Sequence, residues 1–222
     1  MDKKIWKIWE FNSKIFEIKD FSNYYELINK YGYDFFYSEI FDWNFSDTKC
    51  IYEMSECKLK SDDIVVDFGS NIGLFTRYAA EKCDKVISIE GSPEIFSCLV
   101  ENVSDLKNVD FLNANIISES NKQSESWTSK KTPINVTLKD IFYLYDLDHI
   151  DFLKVDIEGG EYNIFKDVNP TYIKKIRNLA IETHDKNLND ELIKHICNTG
   201  KSVYYFNWHH GAVEPQTMLY FY

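Results

Sequence analysis

No run of 18 apolar residues occurs anywhere in the chain, so no transmembrane helix is expected. The opening, Met-Asp-Lys-Lys-Ile-Trp-Lys-Ile-Trp-Glu, lacks the long apolar segment and small-residue cleavage site of a secretory signal, and a cytoplasmic protein is the expectation. Closely spaced cysteines are missing as well. Cys50, Cys57, Cys83, Cys98 and Cys197 are odd in number and too widely separated for a zinc knuckle or a disulfide framework, so reduced, mostly buried thiols are expected. Positive charge is in short supply: 25 basic against 36 acidic residues leave a net charge of −11, which argues against a general nucleic-acid binder. The densest basic cluster, Lys174-Lys175-Ile176-Arg177, is expected to be a solvated helix end. No internal repeat is visible.

What is present suits one globular core of ordinary composition, and 222 residues suffice for one such domain with a small flank. Its organising stretch is residues 63–80. Residues 64–68 are short, β-branched and apolar, as in a strand buried on both faces, and they end at Gly69. The turn Gly69-Ser70-Asn71-Ile72-Gly73 then leads into a helix, with glycines that let a ligand approach the backbone. A dinucleotide fingerprint needs a middle glycine that is absent here, which argues against a nicotinamide oxidoreductase. Asp67, at the carboxyl end of the strand, makes the site mixed in charge. A ligand with both a cation and a carboxylate, such as S-adenosylmethionine, suits it better than a pyrophosphate does.

Beyond this point strands and helices alternate, the pattern of a mostly parallel sheet covered on both faces. Strands are predicted at residues 64–68, 85–90, 109–112, 150–155, 179–182, 202–206 and 217–222. Helices are predicted at 74–82, 94–102, 138–145, through Phe165, and at 190–198. Residues 118–132 are polar and aperiodic and are expected to form a mobile surface loop or weak hairpin. Residues 1–60 lack the rhythm and are crowded with aromatics, so they are expected to form a cap on a domain spanning residues 61–222, with one helix over residues 21–31.

In a parallel sheet the polar strand ends emerge together: Asp67, Glu90, Asn113 with Asn115, Asp156 with Glu158, and Glu182 with His184. Three blocks among them carry a resemblance: Val66-Asp67-Phe68-Gly69-Ser70-Asn71-Ile72-Gly73, Glu90-Gly91-Ser92-Pro93, and Leu153-Lys154-Val155-Asp156-Ile157-Glu158-Gly159-Gly160-Glu161. With Ile181-Glu182-Thr183-His184, they make the chain similar to the FkbM-type S-adenosylmethionine-dependent methyltransferases, which act mainly on hydroxyls of sugars and secondary metabolites. Ser70 stands where alanine is usual and Gly91 where proline is usual. The resemblance implies a Rossmann-like class I methyltransferase fold, a three-layer α/β sandwich with a mostly parallel seven-stranded sheet and an antiparallel last strand. By position it implies that Asp67, Gly69, Ser70, Asn71 and Gly73 cradle the methionine part of the cofactor. Glu90 would hold the ribose, and Asn113 or Asn115 would meet the adenine, with Asp156 nearby.

The implied acceptor is a small molecule or glycan rather than nucleic acid or membrane. A hydroxyl is a poor nucleophile at neutral pH, so its attack calls for a base or a metal ion. His184, Asp156 and Glu158 are the candidates, and His184 is favoured because an unperturbed imidazole titrates near ~6.5. A metal-free site is expected; a metal, if present, would take Asp156, His184 and Asp185. The nearest rival is a nucleic-acid methyltransferase, since Asn169-Pro170-Thr171-Tyr172 imitates the Asn-Pro-Pro-Tyr motif of amino-group methylation. That motif belongs directly after the fourth strand, where Asp156-Ile157-Glu158-Gly159 stands instead. A cofactor-binding module without activity is the other alternative.

Overall fold

The computed structural model describes residues 6–10, 14–18, 50–54, 56–122, 133–184, 186–208 and 216–222. Strands β1 (Trp6–Glu10) and β2 (Lys14–Ile18) form an antiparallel pair. The helix expected over residues 21–31 and most of the aromatic flank lie outside the described residues, as do residues 123–132 of the polar loop.

The main sheet comprises β3 (Ile64–Phe68), β4 (Lys85–Glu90), β5 (Val109–Ile116), β6 (Ile134–Val136), β7 (Ile150–Val155), β8 (Ile176–Thr183), β9 (Val203–Trp208) and β10 (Gln216–Phe221). Their order is β6-β5-β4-β3-β7-β8-β10-β9, and β10 alone runs antiparallel to its neighbours. The described helices are α1 (Leu74–Ala80), α2 (Pro93–Asn102), α3 (Leu138–Leu144), α4 (Glu161–Phe165), α5 (Pro170–Lys174) and α6 (Lys186–Cys197). This is the expected Rossmann-like methyltransferase fold, with three-residue β6 added at one edge. So short a strand leaves no periodic signal.

Two other differences have local causes. Strand β8 begins at Ile176, earlier than polar Arg177 and Asn178 suggested, because both side chains find partners. Arg177 pairs with Asp63 and Asp151, and Asn178 donates to the Lys58 carbonyl. The expected helix end at Lys174 is therefore followed at once by a strand. Asn169-Pro170 opens α5, where the Asn169 side chain accepts from the Thr171 amide and proline takes the first turn.

Strand alternation divides the core in two. Val66, Phe68, Leu153, Val155, Leu179 and Ile181 belong to one apolar cluster. Val65, Phe152, Ala180, Met218 and Tyr220 belong to another, with Phe75 and Ala79 of α1 and Cys50, Tyr52 and Cys57 from the segment before the sheet. The period of two places Asp67, Ser88, Lys154 and Glu182 on the second face, at the carboxyl ends of four strands. There Lys154, 3% exposed, lies opposite Asp67 in register. Its Nζ is 3.2 Å from Asp67 Oδ1 and 3.6 Å from Asp156 Oδ2, and it donates to the Gly69 carbonyl at 2.6 Å. Burial alone would lower the Lys154 pKa, but the charges of Asp67 and Asp156 outweigh it and raise the pKa.

Removing one member of such a set leaves an uncompensated buried charge. Lys154→Met is expected to destabilise the fold by about 3–5 kcal/mol in urea unfolding. Adding Asp67→Asn should recover part of that loss, and a Lys154→Met protein as stable as the wild type would contradict the assignment.

Candidate active site

A cavity of about 390 Å³ opens at the carboxyl ends of β3, β4, β5 and β7, lined by Gly69, Asn71, Glu90, Asn115, Asp156 and Glu158 among others. Strand order brings these residues together from distant stretches of sequence. Gly69 has φ +73°, and a Cβ there would fall 1.7 Å from the Asp156 carbonyl oxygen. Glycine is thus required by the passage of the chain after β7, besides leaving backbone open to a ligand. Asn71, at φ 48°, turns its amide to donate to Glu90 Oε2 at 3.0 Å, and the Ser92 amide donates to Oε1 at 2.8 Å. Each oxygen retains acceptor capacity for a ligand hydroxyl. Burial raises the Glu90 pKa against the effect of these two amides.

Four expected cofactor residues stand behind the cavity, not on it. Asp67 is fully buried, and its carboxylate is taken by Lys154 and by the Thr76 hydroxyl at 2.7 Å. Direct contact between Asp67 and a bound cation is therefore not what the fold provides. Ser70 pins the turn to β4: its hydroxyl donates to the Asp67 carbonyl and accepts from the Ile89 amide. Gly73 caps α1 at φ +94°, where a Cβ would meet Leu99 Cδ1 at 2.8 Å. Asn113 gives its amide to the carbonyls of Glu90 and Gly91, whereas Asn115 faces the cavity.

The acidic side is built by β7, β8 and the turn into α4. Glu158, Gly159 and Gly160 take successive positive φ values of 59°, 113° and 98°. This tight turn lets Glu161 Oε1 accept from the Gly159 amide at 2.9 Å and from His184 Nδ1 at 3.0 Å. Glu158 Oε2 lies 3.4 Å from His184 Nε2, close enough for ionic attraction but not aligned as a hydrogen bond. Burial disfavours the imidazolium, yet Glu161 above all, then Glu158 and Asp156, outweigh it and push the pKa up to about 9. At neutral pH the ring is charged and offers no lone pair, which removes the property that favoured His184 as the base.

Sequence reasoning missed Tyr52 and the structural use of Lys154 and Glu161. Tyr52 Oη lies 2.7 Å from Asp156 Oδ2 and 3.2 Å from Glu182 Oε2. A phenol has one hydrogen to give, and the shorter contact assigns it to Asp156. Burial, with Asp156 adding to it, pushes the Glu182 pKa up and so favours its neutral form. Lys154 carried a signal, a lone cation inside an apolar strand. Tyr52 had none that set it apart from the other aromatics of its segment.

Asp156, Glu158 and His184 each place one ligand atom within 4.8 Å of the others, a spacing a divalent cation can span. Asp185, the other expected metal ligand, lies outside the described residues. Among the described residues no helix is long and apolar enough to cross a membrane.

A doubly wound sheet with an antiparallel last strand, and a glycine-turn pocket closed by a strand-end carboxylate, define a class I S-adenosylmethionine-dependent methyltransferase. Residues 67–205 match the methyltransferase FkbM domain, and the chain belongs to that family. It is 27% identical to methyltransferase sdnD of Sordaria araneosa, across 72% of this chain and 78% of that protein. It is 26% identical to ribosomal RNA small subunit methyltransferase A of Alkaliphilus metalliredigens (strain QYMF), across 64% of this chain and 50% of that one. Among solved structures, methyltransferase FkbM from Methylobacillus flagellatus KT superposes with a TM-score of 0.57 at 20% identity, covering 74% of this chain and 44% of that chain.

The His184 pair makes stability depend on pH. Its pKa rises from 6.5 to about 9 on folding, so its stabilisation is complete below pH 6.5 and is lost as pH climbs through 9. Melting temperature should fall across that window, and His184→Gln should flatten the fall. Equal slopes in wild type and variant would contradict the pairing.

Proposed function

We propose that this chain transfers a methyl group from S-adenosylmethionine to a hydroxyl oxygen on a sugar, a glycan or a secondary metabolite, with Asp156 taking the hydroxyl proton. The observation that carries this reading is the carboxylate of Asp156 on the cofactor cavity, flanked by Glu158 and by charged His184. The residues present fit the cofactor: Glu90 and Asn115 on one side of the cavity suit the ribose and adenine, and Gly69 with Asn71 offers open backbone to the methionine part. Bound S-adenosylmethionine supplies a methyl group on an electrophilic sulfonium.

The choice among candidate bases follows from their states. Glu161 and Glu158 favour the charged form of His184, burial favours the neutral form of Glu182, and Glu158 is 76% exposed at its side chain. Asp156 remains: it lines the cavity and is held from behind by Lys154 and Tyr52. As the acceptor oxygen gains the methyl group, its proton passes to the Asp156 carboxylate, while the fixed charges of His184 and Lys154 keep that carboxylate in place. We read the site as metal-free, with His184 held as a cation between Glu161 at Nδ1 and Glu158 near Nε2. Turnover should survive chelation with EDTA; loss restored by Mg²⁺ or Mn²⁺ would move Asp156, Glu158 and His184 to a metal role.

The second reading, methylation of nucleic acid, is favoured by the ribosomal RNA methyltransferase relative. Against it stand the net charge of −11 and the use of Asn169-Pro170 as a helix cap away from the cavity. Tritiated S-adenosylmethionine offered with methyl glycosides, glycans, small phenols and total RNA tests both readings. Label is expected in the hydroxyl compounds, and label in RNA alone would overturn the proposal.

Two substitutions separate donor binding from chemistry. Glu90→Ala should weaken S-adenosylmethionine binding by about 1.5–3 kcal/mol in calorimetry. Asp156→Asn should bind the donor normally and lower turnover by about 10²–10⁴-fold. An Asp156→Asn enzyme with near-normal turnover would remove Asp156 from the chemistry.

A further inference from the structure

Tyr52 comes from a segment before the stretch that matches the family, yet its hydroxyl reaches the centre of the site. The residue is 5% exposed. Its ring packs edge-on against Phe75 at 5.4 Å, and Lys154 Nζ lies 5.2 Å from its centroid. Oη and Lys154 Nζ both engage the same oxygen of Asp156, Oδ2, at 2.7 and 3.6 Å. Among the described residues Oδ1 has no protein hydrogen-bond partner, and Asp156 faces the cavity.

We propose that Tyr52 is a positioning residue: by holding Oδ2 of Asp156 together with Lys154, it fixes the rotamer that leaves Oδ1 to the acceptor hydroxyl. This rests on the reading of Asp156 as the group that takes the proton. An aspartate has two rotatable side-chain bonds, and an ammonium at 3.6 Å attracts its carboxylate without fixing its plane. A directional hydrogen bond from a packed phenol does fix it. Misplacing a reacting group by about 1 Å can cost on the order of 10²-fold in rate, so loss of the hydroxyl acts on turnover more than on binding. The segment before the sheet thereby supplies part of the site as well as part of the core.

The test is Tyr52→Phe, which keeps the ring and removes only the hydroxyl. The hydroxyl compound that accepts label most readily serves as substrate, and S-adenosylhomocysteine serves as the binding probe. Turnover is expected to fall about 10- to 100-fold, with KM and one-to-one S-adenosylhomocysteine binding within about threefold of wild type. A merely structural role would lower the fraction of competent sites and leave turnover per binding site unchanged. Crystals of the variant with S-adenosylhomocysteine give a readout that needs no acceptor: Asp156 should leave its wild-type rotamer or occupy more than one. Turnover within twofold, or an Asp156 rotamer identical to wild type, overturns the role of Tyr52 while the Asp156 reading stands. Near-normal turnover in Asp156→Asn overturns that reading instead, so the two failures are distinguishable.

Discussion

The buried ammonium of Lys154 is the interaction on which the rest of the site depends. From the middle of the sheet it reaches Asp67 on the neighbouring strand, Asp156 beyond the end of its own strand, and the Gly69 carbonyl in the glycine turn. The turn that opens the cofactor cavity and the carboxylate on its far side are thus tied to one charge. Paired burial of this kind is weak evidence for net stability. Its effect here is geometric, since neither Gly69 nor Asp156 can shift without breaking a contact to the same atom.

Around that charge the titratable groups are driven into different states. Glu182 is pushed toward its neutral form by burial and by Asp156, and His184 toward its charged form by Glu161 and Glu158. In the proposed reading this sorting leaves the proton of the acceptor hydroxyl to Asp156. An imidazole, attractive as a base by its ordinary pKa, is in the proposed reading a positive charge beside Asp156. Glu161 contributes most to this, brought to Nδ1 of the ring after three consecutive positive-φ residues.

Fold and site were legible in the sequence to different degrees. Buried parallel strands announce themselves by β-branched runs between turns, and parallel topology then forces their ends onto one edge, so Gly69, Glu90, Asn115 and Asp156 could be assigned to one place before any coordinates. The direction of each strand-end side chain was not legible. Asp67 and Glu90 look alike as terminal acids, yet strand register points the first at Lys154 and leaves the second lining the cavity. The roles of Tyr52 and Glu161 depend on contacts across 104 and 23 residues of sequence, which no local pattern encodes. Ser70, a departure from the usual alanine, proved to be a pin between β3 and β4.

The central claim, that Asp156 meets the acceptor hydroxyl beside the cofactor cavity, is tested most directly by a crystal structure with S-adenosylhomocysteine and a hydroxyl acceptor bound together. The acceptor oxygen is expected within about 2.6–3.2 Å of the Asp156 carboxylate and facing the cofactor sulfur. An acceptor oxygen bonded to His184 or Glu158 instead, with Asp156 turned away, would contradict it.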